Sequence, residues 1–310
     1  MPDHPVRDPA AATEVFMEHR ELLFSIVYNM LGSVADTEDV LQDSWLSWAG
    51  RGESADIANP RAYLVRIAVN HALTRQAAAR RRREAYVGPW LPEPLATDEA
   101  PDAAEPALRA ESVSLALLVV LETLSPLERA VFVLHEVFGY PHGEIAAVIE
   151  RSPAAVRQLA RRAREHVQAR RPRFEAHPRV QEEATRRFVE AALGRDVEAL
   201  MEVLAPDVTV WTDSGGKVRG SALRPVHGRD KAVRLLTGYA RRGTAENYAS
   251  RHQTLNGDAS LVFFSEGAPY AVMMMDLTPD GRHVTDIFIV TNPDKLGGVP
   301  GETAEEEQEQ

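Results

Sequence analysis

Apolar side chains recur at helical spacing along the first quarter of the chain. Phe16, Leu23, Val27 and Met30 share one helix face, and Gly32 supplies a stop. Asp36 is placed to cap a second helix, Glu38 and Asp39 to complement its N-terminal dipole, and Leu41, Trp45 and Trp48 to form its apolar side. Asn59-Pro60 reads as the cap and first residue of a third helix. Its inward side uses Leu64, Ile67, Ala68 and Leu73, and it ends in the run Arg80 to Arg83.

From Tyr86 to Leu108 the pattern stops. Pro89, Pro92, Pro94, Pro101 and Pro106, mixed with Ala, Asp and Glu, suit neither helix nor strand and predict a linker. Helical spacing resumes from about Arg109 to Arg173, and Pro172 and Pro178, around Phe174 and His177, mark a further boundary. A helix over Val180 to Leu193 then gives way to short runs rich in Val, Phe, Met and Ile. These are Val208 to Trp211, Tyr248 to Leu255, Leu261 to Ser265, Tyr270 to Leu277 and Val284 to Thr291. Asn256-Gly257, Gly267 to Pro269 and Asp280-Gly281 bound them as hairpin-type turns, so the last third is expected to be α+β.

Within the second helical block, Ile145, Ala146 and Ile149 give His142 to Ile149 an inward side. Ser152-Pro153 restarts a helix as cap and first residue. There, Val156, Leu159 or Ala160, and Ala163 can pack inward, leaving Arg157, Gln158, Arg161 and Arg162 outside. This helix-turn-helix pattern fits a recognition helix in the major groove, its first half on base edges and later arginines such as Arg164 on phosphate. A helical hairpin with a solvated basic face has the same pattern. Glu150 stands where such turns favour glycine, and a side chain at positive φ costs on the order of 1 kcal/mol.

The net charge of −11 argues against a nucleic-acid partner only until its distribution is seen. Basic residues cluster at Arg80 to Arg83 and at Arg157, Arg161, Arg162, Arg164, Arg170, Arg171 and Arg173. Acid collects between Asp98 and Glu111 and at Glu302, Glu305, Glu306, Glu307 and Glu309. The 310 residues suggest about two or three domains. The absence of cysteine excludes disulfides and thiolate metal sites and fits a reducing compartment. Met1 to Ala12 lacks the apolar run of a signal peptide, and no segment reaches the roughly 18 apolar residues of a membrane span. A cytoplasmic protein without a membrane partner is expected, with no cofactor or metal.

Two helical blocks joined by a polar linker, the second ending in a helix-turn-helix, resemble the extracytoplasmic-function sigma factors. Ala35 to Asp43 is similar to the segment by which the first sigma domain grips core RNA polymerase. The resemblance implies that Asp39, Gln42 and Asp43 contact the polymerase, whose beta-prime and beta subunits are the expected partners. Asn59 to Leu64, with Asn70 and the arginine run, resembles the helix that reads and helps open the minus-ten promoter element, implying Arg61, Tyr63, Asn70, Arg80 and Arg81 as promoter-DNA contacts. Thr74 replaces the aspartate usual there. Leu124 to Arg129 and the helix-turn-helix match the second sigma domain, which reads the minus-thirty-five element.

Three strings narrow the group: Trp90-Leu91-Pro92-Glu93-Pro94, Asp213-Ser214-Gly215-Gly216-Lys217 and Asn292-Pro293-Asp294-Lys295-Leu296. Together they resemble sigma factors carrying a C-terminal SnoaL-like domain, with Ser214 where the pattern has glycine. The resemblance implies two all-α sigma domains followed by an α+β SnoaL/NTF2-like cone-shaped barrel. Domains are expected at 11–85, 109–172 and 179–297, with a linker at 86–108 and an acidic tail at 298–310. It implies cis regulation through Trp90, Pro92, Asp213, Gly215, Gly216, Lys217, Asn292, Pro293, Asp294, Lys295 and Leu296. Taken alone, a tryptophan in a proline-rich linker either docks onto another domain or stays exposed, and Asp213 to Lys217 also reads as a solvated turn.

Two rival functions belong to other classes. A cyclase or isomerase would need a pocket acid or base, for which Asp207, Asp286, His252 and His283 are available without a spacing that ties them together. A repressor or activator with a ligand-sensing domain would need only the helix-turn-helix, and an unidentified small molecule in the C-terminal domain stays open.

Overall fold

The structure, a computed structural model, describes residues 9–50, 57–96, 113–170, 178–194, 196–245 and 248–302. The expected tether with Arg171, Pro172, Arg173, Phe174 and His177, the acidic stretch 98–111 and Glu305 to Glu309 lie outside the described residues. Two compact units are present. The first holds residues through Glu84 with Val113 and Val120–Arg170, and the second holds Ala85–Ala96, Ser114–Val119 and the C-terminal part.

The first unit opens with helices α1 (Pro9–Leu31), α2 (Val34–Ala49) and α3 (Pro60–Glu84). Phe16, Leu23, Val27 and Met30 are buried together, and Gly32 ends α1 at φ +66°, a conformation that side chains disfavour. Ser33, not Asp36, caps α2: its hydroxyl accepts the Asp36 N–H at 3.3 Å. Asp36 lies inside the first turn, buried, between Arg75 at 2.9 Å and Arg82 at 2.6 Å. Asn59 caps α3 as expected, accepting the Ala62 N–H at 3.0 Å. The buried stripe of α3 is Leu64, Val65, Ala68, Val69 and Ala72, with Ile67 and Leu73 half-buried at its margin.

The same unit contains α5 (Pro126–Phe132), a π-helical turn (Val133–Val137), α6 (His142–Val148) and α7 (Pro153–Arg170). Ser125 and Glu128 form a capping box at α5. The two helical blocks, expected as separate domains, share one unit because α3 packs on both α5 and α6. Arg129 fixes that contact. Only 3% exposed, it donates to the Asn29 carbonyl at 2.9 Å and pairs with Glu122, which also pairs with Arg83.

The second unit contains α4 (Leu115–Leu121) through Val119, α8 (Pro178–Leu193), α9 (Val197–Val203), β1 (Leu204–Asp213), β2 (Val226–His227), α10 (Arg229–Ala245), β3 (Ala249–Leu255), β4 (Asp258–Ser265), β5 (Ala268–Leu277) and β6 (Val284–Val290). Strands run in the order β2-β1-β6-β5-β4-β3, with β1 parallel to β6 and the other pairs antiparallel. The α+β class is as expected; β2 and β3 remain edges, and this open, mixed sheet is compatible with the expected cone-like NTF2 fold. Asn256-Gly257 turns at φ +53° and +74°. The next turn is Glu266-Gly267, one residue earlier than expected, and Pro269 already lies in β5.

Alternating side chains feed two cores. Val208, Val210, Leu261, Met273, Met275, Ile287 and Ile289 pack with α8, α9 and α10. Val262, Phe264, Val272, Met274, Phe288 and Val290 face the other way and are covered by Leu91, Leu115, Ala116, Leu296 and Val299. Residues 114–119 therefore cluster with the sheet instead of the second sigma block, and packing runs past the boundary expected at 297 to Glu302, whose N–H donates to the Gly267 carbonyl at 3.1 Å.

Candidate nucleic-acid interface and linker clasp

In the helix-turn-helix, Ile145, Ala146, Val148 and Ile149 of the first helix and Val156, Leu159, Ala160 and Ala163 of the second are buried. Ser152 caps α7, accepting the Ala155 N–H at 3.2 Å. Glu150 takes φ +54° in the turn, so the strained position is the one read from the sequence. Arg157 and Gln158 stand exposed on the outer face with Arg161 and Arg162. Arg161 pairs with Glu165 at 2.7 Å, Arg162 with Glu128 at 3.3 Å and Arg164 with Glu136 at 2.5 Å.

On α2, Asp39, Gln42 and Asp43 share an exposed face, and Asp39 pairs with Arg75. On α3, Arg61, Arg80 and Arg81 are exposed, whereas Arg82 and Arg83 are engaged within the unit. Tyr63 is half-buried with its ring 5.9 Å from that of Trp48. Thr74 closes on its own helix, donating to the Asn70 carbonyl at 3.0 Å. Asn70 departs furthest from expectation. Its amide donates to the Arg66 carbonyl at 2.8 Å and to the Val148 carbonyl of α6 at 3.0 Å, which occupies both amide hydrogens. In this conformation Asn70 holds the helix-turn-helix and has no amide hydrogen left for DNA.

The second unit builds a different constellation around Asp213, fully buried at the end of β1. One carboxylate oxygen accepts the Tyr86 hydroxyl at 2.5 Å. The other accepts the Leu91 N–H at 2.8 Å and the Lys295 ammonium at 2.7 Å. Lys295 also donates to the Leu91 carbonyl at 2.5 Å and lies 4.0 Å from the Trp90 ring centre and 5.0 Å from that of Tyr86. Asn292 caps the 3₁₀ turn Pro293–Lys295 and donates to the Tyr86 hydroxyl at 2.7 Å. Burial, then the bond to Asp213, hold the Tyr86 phenol above its ordinary pKa.

The glycines permit this approach. A Cβ on Gly215 would stand 2.8 Å from the Asn292 side chain, and one on Gly216 would stand 2.9 Å from Val87. Both glycines also have positive φ. Ser214 needs no such freedom: its φ is not positive, and its hydroxyl accepts the Gly216 N–H at 3.3 Å. Pro92 and Leu296 are buried, and Lys217 pairs with Asp294 at the surface. Further along, Leu95 and Asn256 exchange hydrogen bonds at 3.1 and 2.8 Å, and Ala96 bridges Leu255, extending the β3 edge. Sequence reasoning does not reach the parts of Tyr86, Leu91 and Asn256: from the sequence Tyr86 reads as the start of a linker and Asn256 as a turn.

Two of the four acid-base candidates stand in different settings. Asp286 accepts the Trp211 indole N–H at 3.1 Å on β6, and burial raises its pKa, whereas His252 is exposed on the edge strand β3. No group of His, Asp or Glu suited to a metal ion occurs among the described residues. No helix among them is long and apolar enough to cross a membrane.

Comparison with known proteins places this arrangement. The family model described as "Sigma-70 region 2" matches residues 15–83, and "Sigma-70, region 4" matches residues 114–167. The class is thus a sigma-70-type initiation factor. The chain is 38% identical over 294 residues to "ECF RNA polymerase sigma factor SigJ" of Mycobacterium tuberculosis, across 91% of this chain and 92% of that protein. It is 35% identical over 211 residues to "Probable ECF RNA polymerase sigma factor SigI" of the same species, across 67% of this chain and 71% of that one. The crystal structure of the M. tuberculosis extracytoplasmic function sigma factor SigJ matches with a TM-score of 0.72 at 35% identity, covering 93% of this chain and 99% of that one. The chain belongs to the extracytoplasmic-function (ECF) RNA polymerase sigma factor family. It functions as a sigma factor, not an enzyme, and the cyclase and repressor readings are not favoured.

Proposed function

We propose that the chain directs core RNA polymerase to promoters and is regulated in cis by its C-terminal domain through the Asp213 clasp. Asp39, Gln42 and Asp43 contact the beta-prime and beta subunits, α3 reads the minus-ten element with Arg61, Tyr63, Arg80 and Arg81, and α7 reads the minus-thirty-five element with Arg157, Gln158, Arg161 and Arg162. Asn70 joins the promoter contacts once its bond to Val148 opens.

The observation that carries the regulatory part is the buried Asp213 carboxylate, which holds Tyr86 and Leu91 just after α3 ends at Glu84. This segment joins the two promoter-reading blocks, so gripping it limits how far they can separate. The short covalent tether before α8 keeps the clasp at an effective concentration that reaches about millimolar. An acidic tail competing with DNA phosphate would add a salt-sensitive contribution.

Run-off transcription with core polymerase tests the reading on the full chain. Asp213→Asn with Tyr86→Phe is expected to change promoter output without changing core affinity, and a stop after Glu302 to raise promoter binding at low salt. That stop, unlike one after Leu296, spares the buried Val299. Output and promoter binding equal to the parent's across a salt series would remove cis regulation and leave the sigma function standing.

A further inference from the structure

A cavity of about 290 Å³ opens in the second unit between the sheet and helices α8 and α10. Its walls are apolar and include the rings of Phe188, Tyr239, Phe263 and Tyr270, with Met273 and Ile289 beside them. The Tyr248 and Tyr270 rings pair with centres 4.4 Å apart and planes tilted by 40°. The volume lies at the lower end of the roughly 300–1,000 Å³ usual for ligand sites, which suits one or two fused rings.

Arg242 is the one charged side chain among the described residues that line the cavity. The loop behind it fixes the guanidinium: Nη1 donates to the Arg219 carbonyl at 2.9 Å, and a Cβ on Gly220 would fall 2.5 Å from Nη2. Among the described residues no carboxylate or imidazole stands in the lining, so Arg242 favours an anion there over a cation. Hydroxyls of Ser221 and Ser250 supply further polar contacts, whereas that of Thr291 already donates to the Asp213 carbonyl at 3.3 Å. The Tyr239 hydroxyl is already engaged, accepting the Ala222 N–H at 3.1 Å. Rings for stacking and one cation, the charged group among the described lining residues, suit the holding of an aromatic anion.

We propose that this cavity binds a small planar aromatic carboxylate, its ring between the aromatic walls and its carboxylate on Arg242. The site does not depend on the clasp acting as a regulator. The two meet at Thr291, whose N–H donates to the Asp213 carbonyl at 2.7 Å.

Calorimetric titration of the full-length protein with 2-naphthoate, and with the neutral isostere 2-naphthamide, tests this. Saturable one-to-one binding of naphthoate is expected, with naphthamide at least about tenfold weaker because a charge-assisted hydrogen bond is lost. Arg242→Gln should erase that preference, Arg242→Lys should keep it, and Ala192→Phe, which fills the cavity, should abolish binding of both compounds while the melting profile stays native. If naphthoate fails to bind at concentrations on the order of millimolar, the proposal is wrong. Equal affinity for the two compounds overturns the anion site, and undiminished binding to Ala192→Phe overturns its location.

Discussion

The Asp213 carboxylate and the Lys295 ammonium stand 2.7 Å apart with their side chains 0% and 7% exposed. Removing one member of such a pair strands the other charge away from water, at a cost of about 3–5 kcal/mol. Asp213→Asn is expected to lower the urea midpoint of the C-terminal unit, read through the fluorescence of Trp90 and Trp211. Adding Lys295→Met should restore part of the loss, since both charges are then gone. Midpoints equal to the parent's in both proteins would show that the pair does not hold the fold.

Tyr86 gives the clasp an alkaline limit. Its phenol is raised above the ordinary value by burial and then by the Asp213 carboxylate, so the folded chain favours the protonated form. That stabilisation is complete below the unfolded value of about 10 and is lost as pH climbs from there toward the folded value. Above about pH 10 the parent's stability should therefore fall more steeply than that of Tyr86→Phe. Parallel pH profiles for the two proteins would dissociate the phenol from the clasp.

Much of this was legible because local rules and tertiary packing agree. Gly32, Asn59, Ser125, Ser152 and the strained Glu150 act where their chemistry places them. Asp36 was misplaced because Ser33, three residues earlier, is an equally good cap and the carboxylate gains more from Arg75 and Arg82. Helix α10 is weakly marked in the sequence although Ala232, Val233 and Leu236 carry a helical stripe, since Gly238 and the arginines around it weaken the pattern. The runs Ala271 to Met275 and Ile287 to Val290 imply a sheet buried on both faces. That Leu91 and Leu115 cover the second face is a long-range fact no periodicity encodes. The family strings around Trp90, Asp213 and Asn292 pointed to those positions without giving the hydrogen bonds between them.

Glu122 ties the two helical blocks together through its ion pairs. It faces two guanidiniums, and burial lowers the pKa of Arg129 to about 9, as does burial followed by repulsion from Arg129 for Arg83. Both stay charged at neutral pH. Glu122→Gln leaves them uncompensated and is expected to destabilise the unit by about 3–5 kcal/mol. Hydrogen exchange should speed up along α5 and the C-terminal half of α3, where the two blocks meet; unchanged protection there would mean the contact is held by apolar packing alone.

The polymerase contact needs variants that spare the fold. Asp39→Arg would place two cations together, because Asp39 already pairs with Arg75. Gln42→Ala with Asp43→Asn is cleaner, as both side chains are exposed and off the Leu41 and Trp48 core. The double variant should keep its melting temperature and lose core polymerase in a pull-down. Retention of full core affinity would move the contact elsewhere.

On the proposed reading, α7 would separate base from phosphate contacts by the partners its arginines already have. Arg157 and Gln158 lie at its exposed N-terminal half, whereas Arg162 and Arg164 are drawn to Glu128 and Glu136. Arg157→Ala should cost about 1–3 kcal/mol on the preferred minus-thirty-five sequence and little on others, if its contact is bidentate to a base. Arg164→Ala should weaken all sequences alike and reduce the salt slope by about 1. Glu150→Gly relieves the positive φ and should raise stability by up to about 1 kcal/mol without altering base preference. Competition binding across a set of single-base promoter variants distinguishes these outcomes. Were Arg157→Ala to reduce every affinity by the same factor, the arginine would be a phosphate anchor and the base reader would have to be sought at Gln158.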